Sequence, residues 1–596
     1  MKPTLRSDKH AYGLLAVLCA LSAAFLFNFR AVELSGMSTG FSGSAGNGDW
    51  IFFSHHLLFQ PMVRVFAELF GPLGCNSICA GQLHSIMWAV IVIACSFLIV
   101  LHLTRAIPAA LFAGLLMLFS HNIWVFATQV EPYMPLIGLN ALIATIVIRT
   151  HPSSWTMATT AAVTVLFTFS LFFHQANVFL LIPIALYLSL SQGRSGLLSV
   201  LKITTVAGVV SLGVNILAYL LTHPEATARG FRLWLMYYGV ISDNTHGTWE
   251  ALLTLDLDRL KQTGRSVVAT IVTEPSDALR TPTRIVVSVL LLLAVLWNIV
   301  YISRNRPGRV ARLFLLAWAL TFLVFFAWWH ANVHKFFLTS VIPLLILCVL
   351  SVSDLVTALR DRPLARNCVA GTAVIALATI AGINFSQSVG PLMGYGSGIA
   401  EISSRLAKAT PPGCALYTKR RFAGHLSLYH RMEGLTQFRN YQMMYQSFHF
   451  SAFNPDIKDA MQYSTDVTED ECNVILLHWL SYDDFQWKGG RGMRRAQEAT
   501  GAEMEGPNWP EFIAWIFNVR PAPDGAGIVH DEFWVFLADE DEAFVRINRR
   551  ASVHAESLDA LLGAIDHAIL NDARNSFTAR AHSMLNKFRN RVFGYS

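Results

Sequence analysis

The chain has 596 residues, of which 54% are hydrophobic and only 14% are charged, and its mean hydropathy is +0.44. A soluble domain usually carries about 25% charged residues, so this chain has too few to cover a surface that faces only water. The formal net charge of +6 is small for this length, and its excess lies in short loops, which indicates membrane orientation and argues against nucleic-acid binding. Charges are sparse from His10 to about Ile383 and ordinary from Glu401 onward, so the two regions meet different solvents.

The first apolar run lies close to the N-terminus. Lys2, Arg6 and Lys9 precede it, and it extends from Ala11 to Phe27. This run is longer than the apolar region of a typical signal peptide, which has about 7–15 residues. We therefore predict a retained first membrane span, and a cleaved signal peptide is the alternative.

Ten further apolar runs follow along the chain. A helix that crosses a bilayer needs about 20 mainly apolar residues. Runs of this kind lie near 11–27, 84–104, 107–121, 134–148, 155–173, 176–191, 203–222, 285–303, 312–329, 336–352 and 367–387. The prediction is a polytopic α-helical membrane protein with about eleven spans.

Alternate connecting loops differ in their charge. One set is short and carries fourteen basic residues: Lys2, Arg6, Lys9, Arg105, Arg149, Arg194, Lys202, Arg304, Arg306, Arg309, Arg312, Arg360, Arg362 and Arg366. The positive-inside rule places this set in the cytoplasm. The opposite set contains the long loops 28–83 and 223–284. We therefore expect a cytoplasmic N-terminus and an extracytoplasmic C-terminal domain, with a bacterial inner membrane as the expected location.

The domain prediction follows from the same change in composition. Residues 1–394 form the membrane module, and residues 395–596 form a soluble extracytoplasmic α/β domain. Within that domain, 414–417, 474–480 and 533–537 have the pattern of short strands.

Four cysteines fall in segments assigned to the oxidising side of the membrane, where disulfides persist. Cys75 and Cys79 can close a small loop, and Cys414 can pair with Cys472. Four free thiols are the alternative.

The first outer loop carries the first group of candidate site residues. It contains Gly48-Asp49 and then His55-His56, and an amphipathic helix is predicted directly after them at Pro61–Phe70. Arg64 and Glu68 stand four residues apart on this helix. The alternative for Asp49 is a solvated loop carboxylate or a helix cap.

The second outer loop and the end of the fifth span carry the next candidates. Trp124 and Glu131-Pro132-Tyr133 lie in the loop, and desolvation of Glu131 at a helix mouth would raise its pKa. His174 interrupts two apolar runs. A carboxylate that extends to water and a tight turn are the respective alternatives.

Cationic and imidazole side chains lie at two further outer positions. One group is His330, His334 and Lys335, between the ninth and tenth spans, and the other is Arg229 and Arg232 on a possible helix. Ordinary anchoring at the membrane interface is the alternative for each.

These loop motifs resemble those of the GT-C superfamily of membrane glycosyltransferases, and most of all the protein O-mannosyltransferase-like group. The counterparts are Gly48-Asp49, the segment His56–Pro61, Trp124 with Glu131-Pro132-Tyr133, and His174. The resemblance covers the whole chain, including the outer α/β domain. Asp49 lacks the neighbouring second acid of some relatives, so no metal ligand is predicted and a divalent cation is left open.

The resemblance implies that an acceptor hydroxyl displaces polyprenyl phosphate from a sugar, with inversion. Asp49 would be the general base, and Glu131 and His174 would orient hydroxyl groups. The residues implied in substrate binding are His55, His56, Trp124, Tyr133, Arg229, Arg232, His330, His334 and Lys335. The implied partners are a polyprenyl-phosphate-linked sugar, a hydroxyl of a protein or an envelope glycan or lipid, and the bilayer.

Two other classes of function stay open. A non-catalytic scaffold for envelope assembly would need neither Asp49 nor Glu131. A transporter of a lipid-linked substrate usually needs ionisable groups at mid-membrane, and the predicted spans contain essentially none.

Overall fold

The computed structural model describes 5–31, 52, 54–150, 154–222, 227–235, 257–273, 277–304, 306–331, 333–390 and 392–393, together with five strands nearer the C-terminus. The chain forms two compact units. The first comprises Met1–Val32 and Gly40–Met393, and the second comprises Glu33–Thr39 and Gly394–Ser596.

The first unit is helical. In chain order its helices are α1 Leu5–Asn28, α2 Phe59–Phe70, α3 Ser77–Thr104, α4 Ile107–Phe119, α5 His121–Ala127, α6 Tyr133–Arg149, α7 Met157–Phe173, α8 Leu181–Gln192, α9 Arg194–Thr222, α10 Ala228–Leu235, α11 Leu257–Ile271, α12 Asp277–Ser303, α13 Arg309–His330, α14 Leu338–Ala358 and α15 Pro363–Asn384. Short 3₁₀ turns lie at Gly71–Leu73, Gln175–Leu180 and His334–Phe337, and a π-helical turn lies at Phe385–Val389.

Each of the eleven apolar runs overlaps helical structure, because a segment in lipid must satisfy its backbone hydrogen bonds internally. Among the described residues, eight helical segments are long and apolar enough to cross a membrane. The pair α4 and α5 forms a ninth span if the 63° bend between them lies within one crossing. Helices α6 and α7 are apolar but shorter. The number of eleven spans therefore stays a prediction.

The centre of the first unit is closely packed. Trp318 and Phe322 of α13 are fully buried, and Gly138 of α6 lies so close to α3 that an added Cβ would come within 2.5 Å of Trp88. By contrast, α9 and α12 leave large apolar side chains exposed, such as Val209 at 67% and Leu290 at 55%. Apolar residues on both the inside and the outside of a bundle are expected where the surroundings are lipid.

A charged cluster joins α12, α13 and α14 at one end of the bundle. Arg312 donates to Asn298 Oδ1 and to Asp354 Oδ1, both at 2.9 Å, and its guanidinium lies 3.6 Å from the centre of the Tyr301 ring. Trp297 donates to Asp354 Oδ2 at 3.0 Å. Arg312 was predicted to be a loop cation, but it is buried in α13. Its partners come from two other helices.

We expect Arg312→Met to lower the free energy of unfolding by about 3–5 kcal/mol, because it leaves the Asp354 carboxylate half-buried without its cation. Denaturant titration in detergent micelles measures this. The double variant Arg312→Met/Asp354→Leu should recover most of the loss, and Arg309→Met, at an exposed position of the same helix, is the matched control. Wild-type stability of the single variant would contradict the assignment.

The second unit contains a five-stranded sheet. Its strands are β1 Ala415–Thr418, β2 Leu435–Gln437, β3 Asn473–Leu476, β4 Glu532–Phe536 and β5 Phe544–Asn548, in the order β2-β1-β3-β4-β5. All neighbours are parallel except β4 and β5, which are antiparallel. Strands β1, β3 and β4 overlap the three predicted strands. The helices expected in this unit and the Cys414–Cys472 pair lie outside the described residues, so the α/β domain stays a prediction.

Candidate functional site

The described end of the first outer loop is attached to the end of α7. The Leu58 N–H donates to the Phe172 carbonyl at 3.3 Å, and Gln175 Nε2 donates to the Ser54 carbonyl at 2.9 Å. Between these two attachments, His56 Nδ1 lies 2.9 Å from the carbonyl oxygen of Phe173. These bonds hold His56 against the helix end that precedes His174.

His56 is a neutral imidazole in this position. A carbonyl oxygen can only accept a hydrogen bond, so Nδ1 of His56 carries the hydrogen and Nε2 carries the lone pair. Burial is the largest cause that lowers the pKa of His56 to about 3; the hydrogen bond to Phe173 opposes it, and the charges of His55 and Lys335 act with it.

His174 has the opposite arrangement of its ring nitrogens. The Ala176 N–H donates to Nδ1 at 3.1 Å, so the hydrogen of the neutral ring is on Nε2. Burial holds the pKa of His174 well below its ordinary value, and protonation of His56 or His55 and the charge of Lys335 act in the same direction. The site therefore offers uncharged imidazoles, which suit hydroxyl groups better than anions.

Three rings and one ammonium group meet at this point. The ring centres of His56 and His174 are 5.2 Å apart, and that of Tyr133 lies 5.7 Å from His56 and 5.4 Å from His174. Lys335 Nζ lies 5.1 Å from the centre of the Tyr133 ring, within the range of a cation–π interaction. Four segments that are far apart in the chain thus converge on one place.

Glu131 lies in the turn between α5 and α6 and is 2% exposed. Its Oε1 is buried and has no hydrogen-bond partner among the described residues, while its N–H donates to Ser85 Oγ at 3.3 Å. Burial raises the pKa of Glu131 to about 7, and the charge of Lys335 opposes that rise. A buried carboxylate oxygen without a donor is costly, so this atom is well suited to accept a hydrogen bond from a ligand.

The remaining candidates lie elsewhere. Trp124 is buried in an aromatic cluster, with ring centres 5.2 Å from Phe25 and 6.1 Å from Phe385. Its position is explained by packing, and its indole Nε1 has no hydrogen-bond partner among the described residues.

His330 and His334 flank the segment that leads to Lys335. The His330 ring lies 5.8 Å from Phe336, and the exposed His334 ring lies 6.2 Å from His121. Arg232 is exposed on α10. Asp49 and the side chain of Arg229 lie outside the described residues.

One group that sequence reasoning missed lies on α11. Arg259 donates a hydrogen bond to the backbone in the last turn of α13, and Ser266 and Thr270 each donate one to the backbone between α13 and α14. Their spacing of seven and four residues places them on one face of a helix. That spacing could have indicated a shared helix face, but polar side chains are common in any long loop and do not by themselves indicate a contact.

The helix predicted beside the first outer loop is present as α2, and Arg64 and Glu68 form the expected pair at 3.0 Å. Phe66 of this helix packs on His84 of α3, with ring centres 5.0 Å apart. A disulfide between Cys75 and Cys79 closes the turn from α2 to α3, with a Cα separation of 5.3 Å, so this pairing is confirmed. The disulfide braces the connection between these two helices.

No group of three or more His, Cys, Asp or Glu side chains within the described ranges could hold a metal ion. The acid for which a divalent cation was left open, Asp49, is not in those ranges.

No protein-family model matches this chain, and no curated protein matches it in sequence. Among solved structures, the crystal structure of ArnT from Cupriavidus metallidurans in the apo state matches with a TM-score of 0.50 and 14% identity, over 91% of this chain and 99% of that chain. This chain has the fold of ArnT. At 14% identity this likeness shows the fold alone.

Two further structures show weaker likeness. ArnT from the same organism bound to undecaprenyl phosphate matches with a TM-score of 0.46 and 15% identity, over 74% of this chain and 88% of that chain. The Archaeoglobus fulgidus oligosaccharyltransferase in complex with Zn and sulfate matches with a TM-score of 0.45 and 12% identity, over 70% of this chain and 62% of that chain.

Proposed function

We propose that this protein is an inverting glycosyltransferase that moves a sugar from a polyprenyl-phosphate donor to an acceptor hydroxyl at the extracytoplasmic face of the membrane. The observation that carries the proposal is the convergence of His174, His56 and Tyr133 with Lys335, whose charge also acts on the buried Glu131 carboxylate. A buried carboxylate, uncharged imidazoles and one ammonium group then share a site on a fold that is also the fold of ArnT.

The charges of the site fit the two halves of such a donor. Uncharged His56 and His174 and the Glu131 carboxylate can hydrogen-bond to hydroxyl groups of a sugar or of an acceptor. Lys335 supplies the positive charge that a leaving phosphate requires. In this reading its charge also favours the ionised form of Glu131, since it opposes the effect of burial on that pKa.

In the proposed reaction the acceptor oxygen forms a bond to the anomeric carbon. The bond from that carbon to the phosphate oxygen breaks, and polyprenyl phosphate leaves with the electron pair. The hydroxyl proton passes to Asp49 as general base. His330, His334, Arg229 and Arg232 remain candidates for contact with the lipid phosphate, and His55 and Trp124 remain candidates for contact with the substrate.

Loop charge supports the extracytoplasmic face, because the basic residues of the short loops belong on the cytoplasmic side. The second unit then lies outside, and the expected location is a bacterial inner membrane. The proposed acceptor is a hydroxyl of a protein or of an envelope glycan or lipid.

The proposal is tested with the purified full-length chain in liposomes that contain polyprenyl-phosphate-linked sugars. We expect release of polyprenyl phosphate and a product whose anomeric configuration is inverted. A folded protein that releases no polyprenyl phosphate from any donor would favour a non-catalytic scaffold. Movement of intact donor across the bilayer without release would favour the transporter.

A further inference from the structure

The segment that links α13 to α14 is held by a row of side chains from α11. Arg259 Nη1 donates to the Trp328 carbonyl at 2.6 Å, and Ser266 Oγ donates to the Ala331 carbonyl at 2.7 Å. Thr270 Oγ1 lies 2.9 Å from the His334 carbonyl and shares its hydrogen with the carbonyl of Ser266 at 2.8 Å. Three successive contacts on one face of α11 thus follow the backbone up to the residue before Lys335.

These carbonyls need partners from outside their own helix. The last carbonyls of an α-helix have no intrahelical donor, and Trp328 lies in the final turn of α13. A cationic side chain at this end also interacts favourably with the helix dipole. Arg259 fulfils both functions, and Ser266 continues the row beyond the end of the helix.

The far end of α11 is itself fixed. Asn384, at the end of α15 and fully buried, accepts from the Thr273 N–H at 2.7 Å. Its Nδ2 donates to the carbonyls of Ile271 and Phe119, at 2.9 and 2.8 Å. One amide thus ties the C-terminal end of α11 to α4 and α15.

We infer that Arg259, Ser266 and Thr270 are positioning residues that hold the backbone before Lys335, so that its ammonium group stays beside Tyr133 and Glu131. The inference deepens the proposed function, on which it rests for the role of Lys335. Because Lys335 is proposed to bind the donor phosphate, α11 would influence the affinity for the donor through the position of Lys335.

The inference has a structural readout that does not depend on activity. In the full-length protein, an amine-acylating reagent modifies Lys335 at a rate that mass spectrometry measures. We expect Ser266→Ala and Thr270→Val each to raise this rate by about fivefold, which corresponds to the loss of one hydrogen bond of about 1 kcal/mol. Thr263→Val is the matched control, because among the described residues the buried Thr263 hydroxyl donates only to the Arg259 carbonyl of its own helix, at 2.8 Å. Equal rates in all three variants would overturn the inference.

The kinetic readout separates positioning from a general loss of structure. Ser266→Ala and Arg259→Met should raise KM for the polyprenyl-phosphate donor by about fivefold each and leave kcat within about twofold. Equal loss of kcat in these variants and in Thr263→Val would show a structural role only and would also overturn the inference.

Failure of the inference and failure of the proposed function are distinguishable. If the wild-type protein transfers no sugar, the proposed function fails, while the acylation rates still decide whether α11 positions Lys335. If the wild-type protein is active and the acylation rates and KM values do not change, the inference fails alone.

Discussion

Replacing Asp49 by Asn is expected to lower kcat for sugar transfer by about 10²–10⁴-fold, the usual contribution of a general base. The amide keeps the size of the side chain but cannot accept the proton of the acceptor hydroxyl. KM for the donor should change little, because the group acts on the hydroxyl in the transition state. Release of polyprenyl phosphate at saturating donor measures the effect.

The described part of the first outer loop makes this assignment physically reasonable. Asp49 precedes Ser54 by five residues, and an extended connection of this length spans at most about 18 Å. Ser54 is bound by Gln175, next to His174, so the length of the chain allows Asp49 to take part at this site. Burial of such a group would raise its pKa and make it a stronger base.

The control for Asp49→Asn is Asp361→Asn, which makes the same chemical change at an exposed position, 87% accessible, in a loop that the charge pattern places on the cytoplasmic side. The control should transfer sugar at the wild-type rate. A folded Asp49→Asn protein with wild-type kcat would exclude Asp49 as the general base. If Glu131→Gln also left kcat/KM unchanged, a non-catalytic scaffold would become the better interpretation.

Replacing Glu131 by Gln is expected to lower kcat/KM by about 10–100-fold and to abolish a pH dependence near neutrality. Burial raises the pKa of Glu131 to about 7. If its ionised form accepts a hydrogen bond from a substrate hydroxyl, kcat/KM of the wild-type protein rises as the pH increases through about 7 and then levels off. Glutamine does not titrate, so the variant should show a flat profile across this range.

Lys335 gives a second test of the same pH profile. Its positive charge lowers the pKa of Glu131. Lys335→Ala should therefore move the rising limb to higher pH, and it should also raise KM for the donor because a phosphate contact is lost.

Glu68→Gln is the control for Glu131→Gln, because the Glu68 carboxylate is 63% exposed and pairs with Arg64 on α2. Its pH profile should match that of the wild-type protein. An unchanged rising limb in the folded Glu131→Gln protein would show that another group titrates, and the proposed role of Glu131 would then be wrong.

The positions of the long apolar helices could be predicted from the sequence alone. An apolar segment in lipid must pair its own backbone groups, so a run of apolar residues specifies a helix without reference to any neighbour. The amphipathic helix α2, its Arg64–Glu68 pair and the Cys75–Cys79 disulfide were also predictable, because each depends on residues that are close in the chain.

The contacts between the outer segments, and the protonation states of the side chains buried there, depend on the tertiary structure. The apolar surroundings of Glu131 at a helix mouth already predicted a raised pKa, whereas the neutral state of His174 depends on burial by distant segments, which no local pattern encodes. Trp124 lies among phenylalanines, a position that its motif did not predict. Arg312 and Arg259 acquired partners 42 and 69 residues away, because helix packing, and not sequence spacing, brings such groups together.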